Sequence, residues 1–151
     1  MLTGLLALAL LSASAQAPYV VSPVPGAQRN ALSSVRTQVD WLQNSTRTAP
    51  NYGDQGYGNL WQSFQALRQS YTALKQTLTQ EQLAAGADVL AELDAGLDIL
   101  QQAFGNYQGD LQAGRNPRAA LSDMSQVLRK GSTMWLQELN KRASQLRIGW
   151  R

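Results

Sequence analysis

Cysteine and histidine are both absent from the 151 residues. Without cysteine there are no disulfides, no thiolate nucleophile and no CxxCH haem attachment. Without histidine as well, Cys/His zinc sites and imidazole acid–base catalysis are excluded. Charged residues make up only 15% of the chain and aromatic residues 7%. The formal net charge of +3 is too small to argue for nucleic acid, which calls for clustered bases interleaved with stacking aromatics. Catalytic motifs are missing too. Ser33, Ser63 and Ser70 have no lysine three residues on, and there is no G-x-S-x-G or glycine-rich phosphate loop. The expectation is a protein that is not an enzyme, needs no cofactor and binds no nucleic acid.

Hydrophobic residues account for 44% of the chain, enough to bury the core of one domain. The one long apolar run is at the start. Leu2 to Leu11 is apolar apart from Thr3 and Gly4, and Ser12 to Ala17 is small and polar. This pattern resembles a secretory signal peptide, with Ala13 and Ala15 as the A-x-A pair and Gln16 as the mature start. Cleavage after Ala17 would put Pro18 first, which suits a signal peptidase less well. The run is too short for a transmembrane anchor, which needs about 20 residues, and no cysteine follows it to carry a lipid. Export without disulfides fits a bacterial periplasm or exterior. The Asn44-Ser45-Thr46 sequon is then a chance match at a helix end.

Residues 16–26 hold three prolines and read as an extended leader. Beyond it, apolar periodicity predicts four amphipathic helices. The first spans about 27–45, with Leu32, Val35, Val39 and Leu42 on one face. Residues 46–58, with Pro50 and glycines at 53, 56 and 58, read as the longest interior loop, followed by Asn59 as an N-cap. The second helix, about 60–78, carries the most regular seam: Leu60, Phe64, Leu67, Tyr71, Leu74 and Leu78. Thr79 and Gln82 form a predicted capping box opening a third helix that reaches to about Leu111, with Leu83, Leu90, Leu93, Leu97, Leu100, Phe104 and Leu111 as its apolar stripe. Glycines at 86, 96, 105 and 109 interrupt that helix, and close approach of a neighbour is the simplest compensation. Gly114, Asn116 and Pro117 then mark a stop and a start. The fourth helix runs to about 146 through Leu121, Met124, Leu128, Gly131, Trp135, Leu139, Arg142 and Leu146, with Ala120, Val127 and Leu136 alongside.

Charge follows the same division. Residues 79–111 carry six acids and no base, the second helix carries only Arg68 and Lys75, and residues 115–151 carry eight bases and two acids. An acidic helix between two basic ones favours an all-α, antiparallel up-down four-helix bundle over residues 27–147, with 148–151 as a tail.

Three places are candidate sites. On the third helix, Asp94 and Asp98 are one turn apart, as are Asp88 and Glu92. Such pairs can hold a hard cation, but a solvated face paired with fourth-helix bases explains them better, so no metal is expected. Asp94 lies near the seam, and burial would demand a base such as Arg142 beside it. In the 46–61 stretch, Tyr52, Tyr57 and Trp61 offer a stacking surface for a sugar or peptide, against the plainer reading of rings lying on the bundle end. At the C-terminus, Arg147 and Trp150 sit among further bases, suiting an acidic partner or an anionic membrane surface. The expected function is therefore an exported, non-catalytic binding or scaffolding module with a protein partner, as a monomer or homodimer. The alternatives are a carrier holding a small apolar ligand near Tyr71, Phe104, Met124, Met134 and Trp135, and a peripheral membrane binder.

Overall fold

The computed structural model describes residues 26–146, so the signal peptide, the leader before Gly26, and Arg147 and Trp150 lie outside the described residues. The described chain is all-helical, with five α-helices and no strand. They are α1 (Ala27–Thr48), α2 (Gly53–Gln76), α3 (Gln80–Ala85), α4 (Ala87–Gln112) and α5 (Pro117–Arg142). A single 3₁₀ turn, Ala49–Asn51, joins α1 to α2.

Side-chain contacts between helices fix their directions. At the start of α1, Gln28 Nε2 donates to Thr77 O just past α2 and to Gln82 in α3. Arg68 reaches Asp98 and Lys75 reaches Asp94, so α2 and α4 run antiparallel. Trp135 Nε1 donates to Leu93 O at 2.9 Å, and Arg142 pairs with Glu92, which opposes α4 and α5. Arg36 with Asn140 and Gln43 with Thr133 give the same relation for α1 and α5.

Most residues of the predicted seams form the core, whereas Arg142, given a seam position, stays partly exposed. Leu32, Val35, Val39 and Leu42 of α1 are buried, as are all six seam residues from Leu60 to Leu78. From α4 come Leu90, Leu93, Leu97, Leu100 and Phe104, and from α5 Leu121, Met124, Leu128, Trp135 and Leu139. Leu146, just beyond α5, is also buried. Val127, placed alongside the seam by sequence, stands half exposed because the helical repeat turns it outward.

Three local expectations need correction. The 46–58 stretch is not a loop: α1 continues to Thr48, and α2 begins at Gly53 rather than after Asn59. The glycines permit this instead of preventing it. Gly53 takes a φ of +54°, and Gly56 lies so close to Ala49 that a Cβ would overlap that residue's backbone. Secondly, the expected third helix is two. Gly86 takes φ −102° and ψ 12°, separating α3 from α4, and Leu146 occupies the space where its side chain would be. Thirdly, α5 ends at Arg142 and a turn carries the chain to Leu146. The capping box is as expected: Thr79 Oγ1 accepts from Gln82 N–H, and Gln82 Oε1 accepts from Thr79 N–H at 2.8 Å. Asn116 caps α5 by accepting from Ala119 N–H, with Pro117 as the first helical residue.

Candidate binding cleft

Few backbone positions of α2 and α4 come close to each other. Near the start of α2 and the end of α4, rings bridge the interval. Phe104 is buried at its centre, 5.5 Å from Phe64 between ring centroids. Trp61 meets Phe104 edge-on at 4.9 Å, and Tyr57 does so at 5.7 Å while stacking on Tyr107 at 5.1 Å. Tyr107 is buried, and its phenol is raised above its usual pKa by burial first, then by the Asp54 carboxylate and Tyr57.

Outside this ring cluster is an open cleft of about 470 Å³, lined by Tyr57, Trp61, Phe104 and Gly105 and by the polar side chains of Asp98, Gln101, Gln102 and Gln108. Trp61 keeps 36% of its surface exposed. Asp98 accepts from Arg68 Nη2 at 3.1 Å, and the Arg68 guanidinium lies over the Phe64 ring. Arg68 Nη1 is buried without a hydrogen-bond partner.

Gly105 lines the cleft without a side chain of its own. Two other glycines inside α4 and α5 are explained by their neighbours: a Cβ on Gly96 would come 2.8 Å from Trp135 Cδ1, and one on Gly131 would overlap Leu100. Gly105 and Gly109 have nothing within 4 Å of a Cβ position. Each still carries the helix-propensity cost of glycine, about 1 kcal/mol against alanine. A second cleft, of about 660 Å³, lies across α4 from the first and shares Gln102 and Gly105 with it. Exposed Ile99 and Val127 line that cleft, and Arg115 ties Asp110 to Asp123 at its end.

The structure divides the residues that sequence suggested. Tyr57 and Trp61 are brought together on Phe104. Tyr52 is 58% exposed at the start of α2 and does not line this cleft. Asp98 was singled out only as half of a carboxylate pair with Asp94, and Gln101, Gln102 and Gln108 went unrecognised, because their common signal is only that they share the outer face of α4 with Gly105.

The paired acids of α4 do not converge on a cation. Among the described residues no group of three carboxylates is placed to hold a metal. Asp94 is half exposed rather than buried, and Lys75 Nζ meets it at 2.9 Å. Arg142, the base expected there, instead joins Glu92 and Glu138. The bases answering this acidic helix therefore come from α2 as well as α5.

The side chains suggested as lining for an internal ligand mostly fill space. Tyr71 packs edge-on against Trp135 at 5.3 Å, its hydroxyl donating to Leu90 O. Burial, and secondarily Asp94, pushes the Tyr71 phenol well above its usual pKa. Met124 is buried in the core, whereas Met134 is 67% exposed. Among the described residues no helix is long and apolar enough to cross a membrane. Comparison with protein-family models, curated proteins and solved structures gives no match to this chain.

Proposed function

We propose that this chain is an exported bacterial binding module without catalytic chemistry, built as an antiparallel up-down four-helix bundle, and that it takes its ligand in the Tyr57–Trp61 cleft between α2 and α4. The observation that carries this reading is the lining of that cleft: partly exposed Trp61 with Tyr57 and Phe104 on one side, and Asp98, Gln101, Gln102 and Gln108 of α4 on the other. Gly105 leaves the α4 side of the cleft without a side chain. Small-ligand sites pair an apolar or aromatic lining with a few placed polar groups, and this cleft has that lining. Export is supported by the N-terminal apolar run with its A-x-A pair.

The test is capture from an extract of the exported fraction on the immobilised mature chain. Molecules retained by the unaltered protein are expected to be lost with Trp61→Ala and with Gly105→Leu, and kept with Trp41→Ala. Trp41 is 60% exposed and lies outside the cleft, so it serves as the control. Retention that ignores both cleft variants overturns the reading.

A further inference from the structure

We infer that the cleft takes a neutral saccharide, with a pyranose ring laid against the aromatic wall above Gly105 and its hydroxyls held by the glutamines of α4. This rests on the reading of the cleft as the binding site. It goes further by naming the ligand's chemistry.

Charge is the first argument. Among the described residues lining the cleft there is no lysine or arginine, and the single carboxylate, Asp98, is already engaged by Arg68. An anionic ligand would meet Asp98 without a facing cation. A cationic ligand would compete with Arg68 for the same oxygens. A neutral ligand meets neither difficulty.

Hydrogen-bonding character is the second. Gln101, Gln102 and Gln108 each present a planar amide that both donates and accepts. A sugar hydroxyl also does both, so each amide can meet a hydroxyl in either sense. A wholly apolar occupant would strip water from these heads and from Asp98 without replacing those hydrogen bonds, at a cost in free energy. The Asp98 oxygen not bonded to Arg68 can still accept from a hydroxyl.

The aromatic wall is the third. One face of a pyranose ring carries aliphatic C–H groups, weakly positive at hydrogen, and an aromatic face is negative. Trp61 is held edge-on by Phe104 and Tyr57 by stacking on Tyr107, so the wall is ordered before any ligand arrives. Preorganisation of this kind lowers the ordering cost of binding. Gly105 supplies the clearance, since any larger side chain would project into the space above α4.

The experiment titrates the full mature chain with three neutral oligosaccharides: β-1,4-linked glucose, β-1,4-linked N-acetylglucosamine and α-1,4-linked glucose. Binding is followed by amide chemical shifts and tryptophan fluorescence. Saturable binding of at least one is expected, with shifts confined to residues near Trp61 and Gly105. Trp61→Ala and Gly105→Leu should each weaken it by at least about tenfold, with far-UV circular dichroism unchanged, and Trp41→Ala should leave it intact. Gln101→Ala combined with Gln102→Ala should weaken it without touching the ring cluster. If the folded chain saturates with none of the three, or binds one equally well after Trp61→Ala, the inference is overturned. If a proline-rich or helical peptide binds with Trp61 dependence while the sugars do not, the saccharide assignment falls and the cleft stands as the binding site. Extract capture insensitive to both cleft variants removes the cleft itself.

Discussion

Five helix-associated glycines that share one residue type differ in physical role. Gly56, Gly86, Gly96 and Gly131 each sit where a Cβ would press on a neighbour, while Gly105 sits in open space. Gly56→Ala would set a methyl against the Ala49 backbone, which cannot swing aside as a side chain can. Overpacking of this kind costs about 1–3 kcal/mol, and the urea midpoint should fall accordingly. Gly105→Ala meets nothing and gains helix propensity, so stability should rise by about 0.5–1 kcal/mol. Opposite shifts in the two midpoints are the expected result. Tyr71 gives a second prediction at this scale. Burial first, then the Asp94 charge, raises its phenol pKa in the folded chain. Above the ordinary tyrosine pKa, near 10, the unfolded chain loses that proton while the folded chain keeps it, so stability falls as pH rises from there. Below that pH the contribution is fully present. Tyr71→Phe should therefore show a shallower alkaline loss, read from denaturation midpoints across the alkaline range.

Elements differ in how legible their ends are. The start of α3 is written locally, in a threonine and a glutamine three residues apart that satisfy each other's backbone N–H groups. Thr79→Ala should cost about 1 kcal/mol, measured as a lowered urea midpoint with an unchanged slope. The start of α5 is equally local, in Asn116 and Pro117. The start of α2 is not. No side chain caps it, and its first two turns carry three glycines that in isolation disfavour helix. It forms because Gly56 lets the turn pack on Ala49 and because Tyr57, Leu60 and Trp61 then reach the core and Phe104. The break at Gly86 is hidden for a similar reason. Leu146, sixty residues away in sequence, occupies the space over that glycine, so no side chain fits there.

Across the whole molecule, charge steers more than it stabilises. The acids of α4 meet Arg68, Lys75 and Arg142 on its two neighbours, and every one of these pairs is at least partly exposed. Exposed pairs contribute about 0.2–1 kcal/mol, and salt screens them. A double-mutant cycle on Lys75→Met and Asp94→Asn should give a coupling within that range, shrinking in molar salt, with little change in helix content. A larger, salt-insensitive coupling would mean that this pair stabilises the helix packing instead of setting its register.

Taken alone, the amino-acid order determined the all-helical class and the buried faces of α1, α2 and α4, because an apolar stripe at helical spacing has to be covered wherever the helix ends up. It also determined the capping box and the Asn116–Pro117 start, where donor and acceptor lie within a few residues of each other. Tertiary structure alone decided which glycines are filled against and which are left open, which base answers which acid, and where the glycine-rich stretch becomes helix. It also brought Asp98, Gln101, Gln102 and Gln108 beside a tryptophan some forty residues earlier in the chain. Those outcomes depend on atoms distant in sequence and close in space, and no local pattern of residues records that distance.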